Sequence, residues 1–337
     1  MKCFFKPKGV KGLLAVGAGT IFLTVALLFS SISAGAAAKD YPNKSINIIV
    51  PWSAGGSTDL SARTLAPVLS RILRVSVMVI NKPGGSGIIG TLDAVKSAPD
   101  GYTLLADCGG TSSIQYAWAE NLPYKVEERT YIARAAYTPQ ALGVPGASPW
   151  KNMDDLMQAI RTNPAGFRWS LIGGTGVPDV ITAQLRAALM SRGLDLSKTR
   201  SVTYKGTGEV LIALGGNHVD IGFGGVGVAT PLKDAGKIRA LAVVGSQRYK
   251  GWPDVPSTAE IGFGSVDLVY WVGLSGPPGL PASIMKTLTE AVKSAVSSPE
   301  LTPQLDTIGF VPGFQPPDEY KKFVLHEGEG IKGLKLR

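Results

Sequence analysis

The chain has 337 residues, room for two domains with cores of their own, and a formal net charge of +9. Four lysines and no acid fall within the first 38 residues, so the remainder carries +5. It shows no Lys/Arg run, which removes the electrostatic footprint of a nucleic-acid-binding protein. Cys108 is the one cysteine beyond that point, so no intramolecular disulfide forms there, and Cys/His metal spacing is absent.

The N-terminus reads as a secretory signal peptide over residues 1–38. Lysines lead, an apolar segment follows from Leu13 to Phe29, and small residues run through Ser33-Ala34-Gly35-Ala36-Ala37-Ala38. Cleavage is expected near Ala38, with Ala36 almost as good a site. There is no Arg-Arg pair, which points to the general export route, and no cysteine at the cleavage site for a lipid anchor. No later apolar run is long enough to span a bilayer.

Beyond the signal, Ile46 to Val50 is a β-branched run that predicts a buried strand, stopped by Pro51, which cannot donate to a ladder. Ser53 to Ser57 is a small-residue turn, and Ser57 or Thr58 is placed to start a helix with Asp59 in its first turn. Val75–Ile80 predicts a second strand, Asn81–Gly87 a loop, Ile88–Ser97 a helix and Tyr102–Ala106 a third strand, followed by the small, polar loop Cys108–Ser113. Pro139, Pro145 and Pro149 read as a connector.

The layout then repeats. Arg168–Ile172 predicts a strand, Gly173–Asp179 a glycine loop and Val180–Ser191 a helix. Val202–Lys205, the Gly206-Thr207-Gly208 turn and a helix over Glu209–Leu214 copy it, and Val219–Phe223 with Gly224-Gly225-Val226 adds another strand and loop. Arg239–Val244 reads as a strand able to cross back. The expectation is an α/β fold of two lobes, each a mainly parallel sheet flanked by helices. Residues 39–140 with 250–337 would form lobe 1 and residues 141–249 lobe 2. Ligands of such sheets bind beyond the carboxyl ends of the strands, where these loops gather.

Gly85-Ser86-Gly87-Ile88-Ile89-Gly90 is a literal G-x-G-x-x-G, with Asp107 ending the next strand. Against a dinucleotide site stand export of the chain, the longer turn made by Pro83-Gly84, and equivalent glycine loops in the other lobe that have no acidic reader. There is no G-x-S-x-G. His218 and His326 read as surface residues, Cys108 as a packing residue, and Asp59 and Asp107 as partners of local N–H groups. Neutral donors remain: Ser53, Ser57, Thr58, Ser86, Thr111, Ser112, Thr175 and Thr207, all in loops at strand ends. With free N–H groups at helix starts they suit capture and release of a carboxylate better than turnover.

These segments resemble one family. Val50-Pro51-Trp52-Ser53-Ala54-Gly55-Gly56-Ser57-Thr58-Asp59 with Arg63 is similar to the first signature of the Bug receptors, the substrate-binding proteins of tripartite tricarboxylate transporters. Asn81–Gly87 with Gly90 and Pro99–Leu105 resemble the next two, and Tyr204-Lys205-Gly206, Gly215–Asp220, Gly236–Val243 and Asp254–Ser257 follow in order. The resemblance implies a periplasmic, two-lobed receptor that closes around a small organic acid, without cofactor or metal, and a monomer by default. Membrane subunits of a tripartite transporter would be its partners, and the role of sensor for a two-component kinase is the alternative. An oxidoreductase using the G-x-G-x-x-G is a third reading.

On the family's pattern, one ligand carboxylate meets Trp52, Ser53, Gly55, Gly56, Ser57 and Thr58, with Ser86 and Gly87. The other end meets Thr111 and Ser112 and, from lobe 2, Thr175, Gly176, Gly206, Thr207 and Gly225. Asp59, which would repel a carboxylate, is assigned to ordering its loop. Two positions depart from the pattern. Many relatives have Phe at Trp52, and many have His-Leu where this chain has Val180-Ile181, which implies a more apolar distal end and a ligand with an apolar or aromatic body.

Overall fold

The computed structural model describes residues 41–334, so the expected signal peptide lies outside the described residues. The first strand, β1 (Ile46–Val50), has four of its five residues buried, as the apolar run requires. It pairs in parallel with β2 (Val77–Asn81), Ile46 opposite Val77, and with β3 (Thr103–Cys108), Asn47 opposite Thr103. Helix α1 (Ser57–Leu73) connects β1 to β2 and buries Leu65, Val68 and Leu69. Helix α2 (Ile88–Val95) connects β2 to β3. Gly90 is required there, since a Cβ would fall 2.6 Å from the Lys82 carbonyl and 2.8 Å from Pro51 Cα.

Three further strands complete a six-stranded sheet: β4 (Thr130–Thr138), β10 (Tyr270–Gly276) and β11 (Val311–Gln315), in the order β11-β4-β10-β3-β1-β2. The parallel pairing expected of the sheet is confined to its β3-β1-β2 half, and β10 runs antiparallel to both β3 and β4. The reason is topological. The chain leaves this sheet along β4 and returns along β10, so the two strands run in opposite directions where they meet, Tyr270 opposite Thr138 and Gly276 opposite Thr130.

One residue after β4 the chain enters β5 (Gln140–Pro145), the centre of a three-stranded sheet ordered β8-β5-β9. The proline-punctuated stretch read as a connector is therefore a fully buried strand. Pro139 precedes it and Pro145 ends it, positions where a missing N–H is tolerated. Its neighbours β8 (Gly222–Gly225) and β9 (Ile238–Val243) are both antiparallel to it. Strand β9 thus stays in this sheet, and the return crossing expected of Arg239–Val244 is made later, ahead of β10. A parallel pair, β6 (Arg168–Leu171) with β7 (Arg200–Thr203), joins through a bridge between Trp169 and Ile221.

The core over the small sheet contains Leu211, Leu214, Val226, Val243, Trp252 and Val255. The stretch around Trp252, grouped with lobe 1 in the sequence reading, thus buries its side chains against β5 and β9. Gln184 of helix α5 (Val177–Met190) exchanges hydrogen bonds with Asp267, which ties the following segment to the same half. A loop rich in proline carries no sign of which core its Trp and Val will enter.

The large sheet has an aromatic cluster in which Tyr320 stands edge-on to both Tyr131 and Trp271, with ring centroids 5.2 and 5.4 Å apart. Tyr320 lies on α10 (Pro317–Lys332). The same helix carries Glu327, which accepts from Trp271 Nε1 at 2.8 Å and from Ser113 Oγ of the short helix α3 (Ser113–Trp118); burial holds its carboxyl above the usual range. At one further point backbone meets backbone. Gly227, in helix α7 (Val226–Asp234) behind β8, abuts Ile308 and Gly309, just ahead of β11. A Cβ on Gly227 would lie 1.7 Å from the Ile308 carbonyl oxygen, and Gly309 has φ +69°.

Candidate functional site

Among the described residues five helices begin with glycine at the N-cap and no capping side chain: α1 at Gly56, α2 at Gly87, α5 at Gly176, α6 (Thr207–Gly215) at Gly206 and α7 at Gly225. Without a capping oxygen, first-turn N–H groups stay available, and the helix dipole adds partial positive charge. Gly56, Gly176 and Gly206 line one narrow, nearly filled space, with Trp52, Ser57, Thr58 and Thr207. Its apolar wall is Ile172, Val177 and the Trp52 ring, and among the described residues no lysine or arginine lines it.

The loop ahead of α1 is held by Asp59, which is buried. One carboxylate oxygen accepts from Gly55 N at 2.9 Å, and the other from Arg63 Nε and Asn81 Nδ2, each at 2.9 Å. Asn81 Nδ2 also reaches the Trp52 carbonyl at 3.2 Å. The acid is thereby consumed in shaping the loop. What the loop leaves unpaired is informative. Trp52 Nε1, Ser53 Oγ and Ser57 Oγ are buried, and none has a hydrogen-bond partner among the described residues. Thr58 Oγ1 is bonded to the Tyr270 hydroxyl, whose own ionisation burial pushes well above the usual range.

Across the space, Asp179 organises the loop ahead of α5. It accepts from Ile172 N and Gly174 N at 2.7 Å and from Gly176 N at 2.9 Å. Glu209 performs the same office before α6, accepting from Lys205 N at 3.0 Å.

The two sides touch at several points. Ser57 N donates to Thr207 Oγ1 at 3.4 Å, and Ser86 Oγ donates to the Gly173 carbonyl at 2.6 Å. Thr175 Oγ1 donates to the Ser86 carbonyl at 3.2 Å. A Cβ on Gly206 would fall 2.5 Å from Ser53 Oγ, and one on Gly225 would fall 2.7 Å from Ser57 Oγ. Gly87 packs on the Trp52 ring, where a Cβ would stand 3.1 Å from the ring edge.

Most of the residues expected from sequence therefore meet at one place, in four roles. Trp52, Gly56, Ser57, Thr58, Gly176, Gly206 and Thr207 line the space. Ser53, Gly87 and Gly225 abut them, Ser86 and Thr175 bridge the two sides, and Gly55 is spent on Asp59.

Thr111 and Ser112 stand differently. Both are fully buried, and their hydroxyls donate to Asp107 Oδ1 at 2.7 and 2.6 Å. Asp107 also takes Cys108 N at 2.9 Å and lies 3.6 Å from Arg129 Nη1, with neither charged side chain exposed. Burial works against the Arg129 charge, but Asp107 and the neighbouring tyrosines more than offset it, so the guanidinium is held above its ordinary range. Asp107 Oδ1 is engaged by these three donors and the residue is fully buried, so the aspartate that ends β3 is not presented to the G-x-G-x-x-G.

Sequence reasoning did not single out Ile172, Val177 and Tyr270 as lining residues, and Cys108, read as a packing residue, is buried and also lines the space. It also passed over Gln140, fully buried beside Gly225 with neither amide atom partnered among the described residues. His218 and His326 are exposed, and among the described residues no three His, Cys, Asp or Glu side chains group as a metal site.

A two-lobed α/β fold with a donor-lined space between its sheets is the architecture of extracytoplasmic solute-binding proteins. The model of the tripartite tricarboxylate transporter family receptors matches residues 61–334, and the chain belongs to that family, the Bug receptors. It is 28% identical to BugT of Bordetella pertussis over 309 residues, covering 90% of this chain and 92% of BugT. Among solved structures it is similar to MatC of Rhodopseudomonas palustris with bound malate, at TM-score 0.81 and 25% identity, covering 87% of this chain and 99% of MatC. It is also similar to Rpa4515 of the same organism with adipate, at TM-score 0.80 and 26% identity, covering 87% and 97%. Members of the family are periplasmic solute-binding receptors.

Proposed function

We propose that this chain captures a small organic carboxylate between its lobes and delivers it to the membrane subunits of a tripartite tricarboxylate-type transporter. The observation that carries the reading is the gathering of glycine-capped helix N-termini around three buried donors with no partner among the described residues, Trp52 Nε1, Ser53 Oγ and Ser57 Oγ. Hydrogen-bond donors and helix dipoles attract an anion without a fixed cation, so the ligand is released when the helices separate. The malate and adipate held by two relatives support a carboxylate as the ligand class. In this reading the chain binds and does not turn its ligand over, since among the described residues no histidine, aspartate or glutamate lines the space.

We place the lobe boundary at Pro139 on the outward crossing and just ahead of Tyr270 on the return. In support, the strands of the large sheet fall within 46–138 and 270–315, and those of the small sheets within 140–243. Ligand binding would close the lobes by a hinge at these two crossings. Trp52 to Thr58, Gly176, Gly206, Thr207 and Gly225 are assigned to the ligand, Ser86, Gly87 and Thr175 to the closed contact, and Thr111 and Ser112 to supporting their loop. Export with cleavage near Ala38 and a monomeric state complete the proposal.

The test is a thermal-shift screen of protein freed of bound solute by unfolding and refolding, against mono-, di- and tricarboxylates together with nicotinamide dinucleotides. A ligand at about a hundred times its Kd adds roughly 2.7 kcal/mol, a rise of about 5–10 °C for a chain of this size. A rise with carboxylates alone is expected. A rise with a dinucleotide alone overturns the proposal.

A further inference from the structure

Gln140 and Gly225 are opposed in the β5–β8 ladder, so the Gln140 side chain lies over the glycine on the same face. The Gln140 residue is fully buried, and both its Nε2 and its Oε1 lack a hydrogen-bond partner among the described residues. The absent Cβ of Gly225 is what admits its neighbours: a carbon there would stand 2.7 Å from Ser57 Oγ and 3.6 Å from Gln140 Nε2. Ser57 Oγ, buried and unpartnered as well, also lines the space between the lobes. One donor-acceptor hydroxyl that lines the space and one donor-acceptor amide just behind it, at Gly225, are thus collected together, and neither has a partner among the described residues.

Leaving a buried amide without partners costs the full desolvation of each of its polar groups. A fold keeps such a group where something else satisfies it. The chemistry of that group is constrained. A carboxylate only accepts, so it would be repelled by Gln140 Oε1, and an ammonium only donates, leaving Nε2 unmet. A hydroxyl both accepts and donates, so it can serve Nε2 or Oε1 alike.

Building on the carboxylate reading, we propose that Gln140, with Ser57, is a specificity subsite for a hydroxyl on the ligand. The preferred solute is then a hydroxy-carboxylate, bound by its carboxylate at the α1 loop and by its hydroxyl at Gln140. The apolar wall of Ile172, Val177 and Trp52 faces the rest of the ligand.

The experiment measures Kd by calorimetry on refolded protein for matched pairs that differ only by a hydroxyl: L-malate and succinate, 2-hydroxyglutarate and glutarate, mandelate and phenylacetate. In each pair that binds, the hydroxy acid is expected to bind at least about tenfold more tightly, since a site built to bond a hydroxyl discriminates strongly against its absence. In Gln140→Met, which keeps the shape and removes the amide, that ratio falls to within about twofold. The ligand-free melting temperature is unchanged or higher, because an unpaired buried group has been removed. A structural role for the amide would instead lower the melting temperature and leave the ratio intact, and that result overturns the proposal. Equal or tighter binding of the deoxy partner overturns it too. If no pair binds while other carboxylates do, the hydroxyl subsite falls and the receptor stands; silence across every carboxylate sinks both.

Discussion

Two loops in this molecule do the same work by different electrostatics. Each follows a strand, opens a helix and is tied by an aspartate in the first helical turn. Asp59 ties its loop through one backbone N–H and shares its charge with Arg63 and Asn81, of which Arg63 is half-exposed. Asp179 ties its loop through three backbone N–H groups and has no cation against it among the described residues; burial, only partly offset by those three donors, raises its pKa. The difference shows two ways to keep a carboxylate beside an anion site. One neutralises it from the solvent side, and the other encloses it in amides so that its charge is spent on the backbone.

The comparison is broken most forcefully at Asp179. Asp179→Ala strands three loop N–H groups, two of them buried, and is expected to cost about 3–4 kcal/mol in urea denaturation. Asp59→Ala strands one backbone N–H and leaves its cation free to turn to water, so about 2 kcal/mol is expected in the same measurement. A larger loss at Asp59 would reverse the assignment of the stronger tie.

The pH dependence sharpens the contrast. A carboxyl whose native pKa lies above its ordinary 3.8 makes the native state the better proton binder. Its contribution is present at low pH and is lost as pH rises from about 3.8 through the raised native value. The stability margin of the parent over Asp179→Asn should therefore shrink as pH rises through that window. A margin that grows with pH would mean that the amide cage favours the charged form outright. The smallest effect is expected at the contact between the loops. Ser86→Gly removes a half-exposed hydroxyl bond to Gly173 and relieves a φ of +54°. Ligand-free stability should stay within about 0.5 kcal/mol, while ligand dissociation in stopped flow quickens severalfold.

The parts of the fold legible in the sequence are those whose signal is local. Strands β1, β2 and β3 are short apolar runs fenced by Pro51, the Asn81–Gly87 loop and the Cys108–Ser113 loop, and the glycine loops announce themselves. Strands β4, β5 and β10 were not legible. Three alanines in Thr130–Thr138 blur its strand pattern, prolines at both ends disguise Gln140–Pro145, and the partner of β4 in β10 comes more than a hundred residues later.

The site follows the same rule. Hydroxyls in loops could be found from their neighbours in sequence. Gln140 and Tyr270 act from the two crossing strands, so their place in the site exists only once the strands have paired. Thr111 and Ser112 look like the other loop hydroxyls. Only Arg129, brought in from the loop ahead of β4, fixes Asp107 where both of them turn to it.

The meeting of Gly227 with Ile308 and Gly309 bears on how such a receptor can evolve. Neither glycine touches the donor-lined space, yet a single added methyl at Gly227 cannot coexist with the arrangement seen here. Any arrangement without that contact would gain population, and apparent affinity would fall by the fraction of molecules shifted. Receptors of one family that share every ligand contact could thus drift in affinity through a joint of bare backbone, where selection acts on fit between main chains and not on recognition.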